Sequence, residues 1–190
     1  SPLPSQKISA TIFKHNPKGS PMSYCKALNH MKESSRELHK SYHDKEYGFP
    51  IHDDNELFAR LILEINQAGL SWETILKKQD SFKKAYRNFD IKKVAKFTDA
   101  DRTRLMNDPG VIRNRLKINA AIENAKTILA LQKEYGSFEK WIEIHDPLNS
   151  EDWVKLFKKT FKFTGGEIVN EFLTSIGVLP HAHDKDCPIF

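Results

Sequence analysis

Two groups of residues in this chain have the types and the spacing for chemistry. The first is E-I-N-Q-A-G-L-S-W, Glu64 to Trp72. Leu57, Leu61 and Ile65 recur at helical spacing, and Glu64 falls within the same apolar stripe. A carboxylate turned inward must be paired, protonated or in use, because burying it alone is strongly unfavourable. Gly69 ends that helix, Ser71 caps the next and Trp72 opens it, so an acid and a large aromatic flank one tight corner. The second group is H-D-K-D-C, in which His183 and Cys187 stand four residues apart and present two metal ligands on one side of a turn. Two ligands do not close a tetrahedral site. Cys25 and His43 could supply the other half, with His181, His39 or His30 as substitutes; on spacing alone, free thiols and ordinary histidines are the commoner arrangement.

Three further segments carry weaker signals. Y-H-D-K-E-Y-G, Tyr42 to Gly48, offers rings and hydroxyls that could line a pocket or simply form a structural loop. K-F-T-G-G-E-I-V, Lys162 to Val169, leads paired glycines into a helix, an arrangement that frees backbone N–H groups for a phosphate, although a plain turn is more frequent. N-D-P-G-V, Asn107 to Val111, is a comparable turn. Arg113 and Arg115 follow it, and cations in a first helical turn oppose the macrodipole unless something such as phosphate compensates.

The elements that must position these groups read as helices. The spacing predicts helices near 34–41, 54–67, 71–78, 80–88, 91–97, 99–106, 111–134, 137–144, 150–160 and 166–176, with no β-branched alternation. Asp54, Thr98 and Ser150 stand near helix starts as capping or first-turn residues. The longest helix, with Ile118, Ile122, Ala125 and Leu129 on one face, is the expected central packing rod. Residues 1–23, rich in Pro, Ser and Lys, read as an extended or disordered arm, and 24–190 as one helical unit of two lobes around a cleft.

Composition bounds the partners. Lys and Arg number 30 against 25 Asp and Glu, a formal charge of +5, which suits a polyanion or a merely soluble surface. Two cysteines near opposite ends exclude a disulfide-dense scaffold. No apolar run reaches the length of a membrane span, so a cytoplasmic protein without membrane contact is expected.

Taken in order, Y-H-D-K-E-Y-G, L-E-I-N-Q-A-G-L-S-W-E-T-I-L-K-K, G-V-I-R-N-R-L-K-I, F-K-F-T-G and A-H-D-K-D-C closely resemble the 3-methyladenine DNA glycosylase I family of helix-hairpin-helix base-excision enzymes. The resemblance runs from Cys25 to Cys187. It implies an all-α helix-hairpin-helix glycosylase fold whose N- and C-terminal segments form a zinc-stapled lobe, with one structural Zn2+ on Cys25, His43, His183 and Cys187. It further implies Glu64 as the pocket acid, with Trp72, Tyr42 and Tyr47 as base-binding residues. Lys162, Thr164, Gly165, Gly166 and Arg113 become the expected contacts to the DNA backbone. The chain departs from the family pattern at Lys26 and Ala27, where a Gly-Trp pair is usual, at Tyr47, where Trp is common, and in a shortened region from Trp141 to Phe161.

The implied reaction is monofunctional hydrolysis of 3-methyladenine from alkylated double-stranded DNA by a monomer. The methylated base is a cation in DNA and leaves neutral, so the site needs selection more than acid catalysis. An ionised Glu64 would accept hydrogen bonds from the base while aromatic faces hold its charge. The family lacks the catalytic Asp of its superfamily, and I-G-V-L-P-H-A-H after the last helix holds no carboxylate before Asp184. Two alternatives stand beside this reading. One is a non-catalytic, zinc-containing helix-hairpin-helix module that recognises damage without excising it. The other is a zinc hydrolase, which four good ligands disfavour because hydrolysis needs an open metal position.

Overall fold

The computed structural model describes residues 22–189. Most of the expected arm at 1–23 lies outside them. Ser23 is already structural, since its side chain accepts from the Lys26 N–H and caps the first helix. The chain then forms α1 (Tyr24–Ala27), a 3-10 turn (Leu28–His30), α2 (Glu33–Lys45), α3 (Asp54–Gln67), α4 (Trp72–Lys77), α5 (Gln79–Ala85), α6 (Ile91–Ala95), α7 (Asp99–Met106), α8 (Arg115–Tyr135), α9 (Phe138–His145), α10 (Ser150–Thr160) and α11 (Gly166–Ser175). No strand occurs among the described residues, so the fold is all-α as expected. No helix among them is long and apolar enough to cross a membrane.

One continuous apolar cluster runs from Tyr24 to Ile176. Ten of the fourteen residues of α3 are buried, and α3 packs on α4, α6, α8, α9 and α11. The central rod is therefore shared: α8 carries the long apolar face, while α3 is the helix enclosed on more sides. A satellite of stacked rings, Phe82, Tyr86, Phe89 and Phe97, closes the α5–α6 end.

Several boundaries differ from expectation for local reasons. Helix α2 runs on to Lys45, so Tyr42, His43 and Asp44 sit on its last turns rather than in a loop, supported by an ion pair between Lys40 and Asp44. Helix α5 stops at Ala85 because Arg87, Asn88 and Phe89 turn left-handed, with φ of 53°, 57° and 53°. Helix α8 begins at Arg115, where the Asn114 side chain accepts from the Lys117 N–H at 3.1 Å. Arg113 therefore precedes the helix and lies in the exposed turn, so the dipole argument applies to Arg115 alone.

The caps are shifted too. Asp53, not Asp54, caps α3, and Asn149 caps α10. Asp54 instead reaches across to α9, accepting from the N–H groups of Phe138 at 2.9 Å and Glu139 at 3.2 Å and from Gln132 at 2.8 Å. A carboxylate thus sits at the positive end of a second helix and locks it to the start of the first.

Candidate active site and metal centre

Glu64 lies one turn before the end of α3 and is 2% exposed. Gly69, at φ 80°, makes the corner that follows, a conformation that side chains with a Cβ disfavour. Ser71 then caps α4, its hydroxyl accepting from the Thr74 N–H at 3.1 Å. The corner is held from outside by Lys117 of α8, whose ammonium donates to the carbonyls of Asn66 at 2.9 Å and Ala68 at 2.6 Å. These are carbonyls that the helix end leaves without intrahelical partners. Burial lowers the Lys117 pKa from its ordinary value.

The rings expected to line a pocket are together. Tyr42 and Trp72 have centroids 5.2 Å apart, and Tyr42 and Tyr47 5.9 Å. Both tyrosine hydroxyls are pushed well above their ordinary pKa, by burial first; at each, the negative charges of Glu64 and Glu171 add to the shift, and at Tyr42 Arg60 opposes it. Tyr42, Tyr47, Glu64 and Trp72 are each at most 4% exposed, so admitting a ligand among them requires local opening.

Three participants escaped the sequence reading. Tyr24, immediately before Cys25, supplies a ring 5.4 Å from Tyr47, and its hydroxyl is held 2.7 Å from His39 Nδ1. It brings an aromatic to this lobe in a chain that lacks the Gly-Trp pair after the cysteine. Arg60 is buried, with its guanidinium carbon 5.2 Å from the Tyr42 centroid. Glu171, within the apolar run of α11, is 4% exposed and accepts from the Tyr47 hydroxyl at 3.4 Å. The signal that singled out Glu64 was present for Glu171 as well, a carboxylate set among Val169, Phe172 and Leu173.

Next to these rings, Cys25, His43, His183 and Cys187 converge so that their ligand atoms all lie within 4.8 Å of one another. The His43 Nε2 atom is 3.2 Å from Cys25 Sγ and 3.9 Å from Cys187 Sγ; His183 Nδ1 is 3.7 Å and 3.4 Å from the same sulfurs. Bonds of about 2.1 Å to nitrogen and 2.3 Å to sulfur give a tetrahedron with edges of roughly 3.3–3.8 Å, close to this spacing. His43 Nδ1 is held by Asp44 at 2.7 Å and His183 Nε2 by the Tyr47 carbonyl at 2.5 Å, which aims each remaining nitrogen inward. Burial lowers the His43 pKa, which favours the neutral imidazole that a ligand must be. Burial pushes the Cys25 thiol up to about 12, so a cation is what would stabilise its thiolate. The set can bind a metal ion, joining α1, α2 and the C-terminal segment. Gly48, at φ 88°, lies where a Cβ would come within 2.7 Å of Ala182, so only glycine lets the two segments close.

The expected backbone contacts divide. Lys162 is exposed, and its main chain is clamped by Asn124 through two hydrogen bonds of 2.7 Å and 3.0 Å. With Lys158, Lys159 and Gly165 it lines a depression of about 350 Å³. Thr164 points the other way: it is 4% exposed, and its hydroxyl donates to the Phe157 carbonyl at 3.0 Å. Gly165 and Gly166 have room for a Cβ, so internal packing does not explain them.

Residues 32–151 match the methyladenine glycosylase family. The chain belongs to that family. Among its relatives, the DNA-3-methyladenine glycosylase of Haemophilus influenzae is 36% identical over 170 residues, covering 80% of this chain and 91% of that protein. DNA-3-methyladenine glycosylase 1 of Escherichia coli is 34% identical, covering 75% and 86%. The methyladenine glycosylase fold is equally clear in three dimensions. The 3-methyladenine DNA glycosylase I of Staphylococcus aureus superimposes with a TM-score of 0.72 at 34% identity, over 80% of this chain and 90% of that one. A variant 3-methyladenine DNA glycosylase I solved in complex with 3-methyladenine gives 0.75 at 32% identity, over 85% and 95%.

Proposed function

We propose that this protein is a monofunctional DNA-3-methyladenine glycosylase acting on alkylated double-stranded DNA and leaving an abasic site. The observation that carries the reading is Glu64, enclosed at 2% exposure in the last turn of α3, with the corner that follows carrying Trp72, whose ring meets Tyr42 at 5.2 Å. A flipped 3-methyladenine entering there offers a positive charge to the ring faces and amino hydrogens to the carboxylate. Water adds to the anomeric carbon and loses a proton to solvent; the electron pair of the broken C–N bond returns to the base, which departs neutral. Glu64 orients and selects, and it transfers no proton to the leaving base.

Around this site, α7, the turn 107–114 and α8 serve as the helix-hairpin-helix unit, with Arg113 exposed in the turn. Lys162 and the backbone N–H groups of Gly165 and Gly166 contribute phosphate contacts from the α10–α11 loop, and Thr164 supports that loop from within. Cys25, His43, His183 and Cys187 hold one structural Zn2+. Bound there, the ion supplies a cross-link between the two ends of the fold and no chemistry on the base. The enzyme works as a cytoplasmic monomer whose described residues form two lobes around the base-binding cleft.

The test is release of free base from methylated duplex DNA, identified by chromatography. Glu64→Gln is expected to slow release roughly 100-fold while binding to the same DNA persists. Undiminished release by that variant removes Glu64 from the mechanism. DNA binding by the wild-type protein without any base release would identify a non-catalytic damage-recognition module instead.

A further inference from the structure

The positive charge of this chain is not spread evenly. Residues 77–96 hold eight Lys or Arg against two Asp, a net +6 within a total of +5, which leaves 22 cations against 23 acids in the other 170 residues. Local folding turns that charge outward. Helix α5 buries Phe82 and Ala85, and α6 buries Ile91 and Val94, so Lys83, Lys84, Lys92, Lys93 and Lys96 fall on the exposed sides of the two helices. Between the helices, the left-handed turn sends Arg87 and Asn88 into solvent while Phe89 stacks on Tyr86, ring centroids 5.7 Å apart. Lys83, Lys84, Arg87 and Lys93 thereby meet, with Asp80 and Asn88, around a depression of about 400 Å³.

Neighbouring cations have other employment: Lys77 pairs with Glu73 at 2.9 Å, and Lys78 donates to the Pro109 carbonyl at 2.7 Å. The four at the depression form no ion pair among the described residues. Of the two Asp in the segment, Asp80 is exposed on the rim, and Asp90 is turned to the Lys93 N–H at 3.1 Å as the cap of α6. The adjoining groove against α3 mixes Glu46, Asp53 and Glu56 with Lys45 and Arg60, so the excess is confined to the depression. Like charges gathered this way repel one another in the free protein, and a polyanion relieves that repulsion. The face also lacks the apolar anchor that centres a protein interface: among the described residues the exposed large hydrophobics are Phe49, Leu116, Ile144 and Phe163, and none of them lines it. A phosphodiester backbone needs no such anchor.

Position favours the same partner. Helix α5 starts against the turn 107–114, where Ser81 lies so close to Gly110 that a Cβ there would meet it at 2.8 Å. Helix α6 starts against the first turn of α3, the Ile91 N–H donating to Asn55 Oδ1 at 3.2 Å. The 14 residues of α3, at about 1.5 Å each, put that end roughly 20 Å from the corner after Glu64. At about 3.4 Å per base pair, this is about six base pairs of duplex.

We propose that Lys83, Lys84, Arg87 and Lys93 form a second phosphate-binding face, which holds the duplex about six base pairs from the flipped base without reading its sequence. The assignment deepens the glycosylase reading and rests on it.

The test uses the full chain and two DNA probes carrying a tetrahydrofuran abasic analogue: a duplex of about 24 base pairs, and a hairpin-closed duplex with about four base pairs on each side of the analogue. Binding is measured by fluorescence anisotropy over a range of salt, alongside base release from methylated DNA. Lys83→Gln/Arg87→Gln/Lys93→Gln is expected to flatten the slope of log K against log salt for the long duplex by about 2–3, and to leave the slope for the hairpin within about 0.5 of the parent. Lys133→Gln/Lys140→Gln, which removes exposed charge from α8 and α9, is expected to change neither slope by more than about 0.5. Should the triple variant fail to fold, Lys83→Gln/Lys93→Gln is the deciding one, with a change of about 1–2 on the long duplex. An unchanged slope on the long duplex would overturn the proposal and give the face to an acidic protein or to solvent. An equal change on both probes, or a matching change in Lys133→Gln/Lys140→Gln, would overturn it by showing an effect of overall charge. A parent protein that releases base while the triple variant keeps its slope sinks this face alone. A parent protein that binds neither probe and releases no base sinks the glycosylase reading with it.

Discussion

The His183 imidazole donates from Nε2 to the Tyr47 carbonyl 2.5 Å away, while its Nδ1 faces the sulfurs of Cys25 and Cys187. One residue thus serves the metal cluster and a wall of the aromatic cluster at once. If a metal holds that imidazole, elemental analysis of the purified protein should find one zinc per chain, and Cys187→Ser should lose it. Loss of the cross-link is expected to cost roughly 3–5 kcal/mol, a fall in Tm on the order of 10 °C by calorimetry. Equal Tm values for the variant and the parent would show that the cluster staples nothing.

Lys117 is the buried ammonium that closes the corner after Glu64. Lys117→Met keeps the length of the side chain but leaves the Asn66 and Ala68 carbonyls without their donor. A destabilisation of about 2–3 kcal/mol in urea unfolding is expected, together with slower base release as the Glu64-to-Trp72 geometry loosens. A variant as stable and as active as the parent would make Lys117 a bystander.

Phosphate contacts leave a signature in salt. Arg113→Ala and Lys162→Ala should each flatten the slope of log K against log salt for duplex DNA by about 0.9, with the loss spread evenly over DNA sequences. Thr164→Ala, whose hydroxyl faces the Phe157 carbonyl, should leave that slope alone and cost about 1 kcal/mol of stability. A slope change in Thr164→Ala and none in Lys162→Ala would reverse the assignment of the loop.

Helix α7 is started by a capping box in which the Asp101 carboxylate accepts from the Thr98 N–H at 2.9 Å. That bond, with the Arg104 guanidinium adding to it, holds Asp101 below its ordinary carboxylate value of 3.8. Because the folded pKa is the lower one, the stabilisation is fully present above pH 3.8 and fades as pH falls through the folded value. Asp101→Asn should therefore lower stability by about 1 kcal/mol at neutral pH, and the gap between variant and parent should close in acid. Chemical unfolding at several pH values measures this; a gap that stays constant into acid would mean that the charge plays no part.

The helical periods of α3 and α8 were legible because their burial patterns repeat at 3.6 residues along the chain itself. Boundaries were less so. The end of α5 depends on three left-handed residues, and the start of α8 on Asn114, both choices of a single turn that periodicity does not record. The family resemblance set Thr164 among the DNA contacts, whereas the packing of α10 against α11 turns its hydroxyl inward.

By itself, the sequence determined the helical class, the inward carboxylate at Glu64 and the four-residue spacing of His183 and Cys187, because each is a relation between residues within a turn or two of one another. Tertiary structure decided which residues meet across the chain. It brought Cys25 and His43 to the C-terminal pair, set Tyr24 beside Tyr47, placed Lys117 at the end of α3 and turned Glu171 of α11 toward the rings that Glu64 serves. The physical reason is the same in each case. A helix fixes the direction of its own side chains, whereas the partner each one meets depends on how separate helices pack around the shared core.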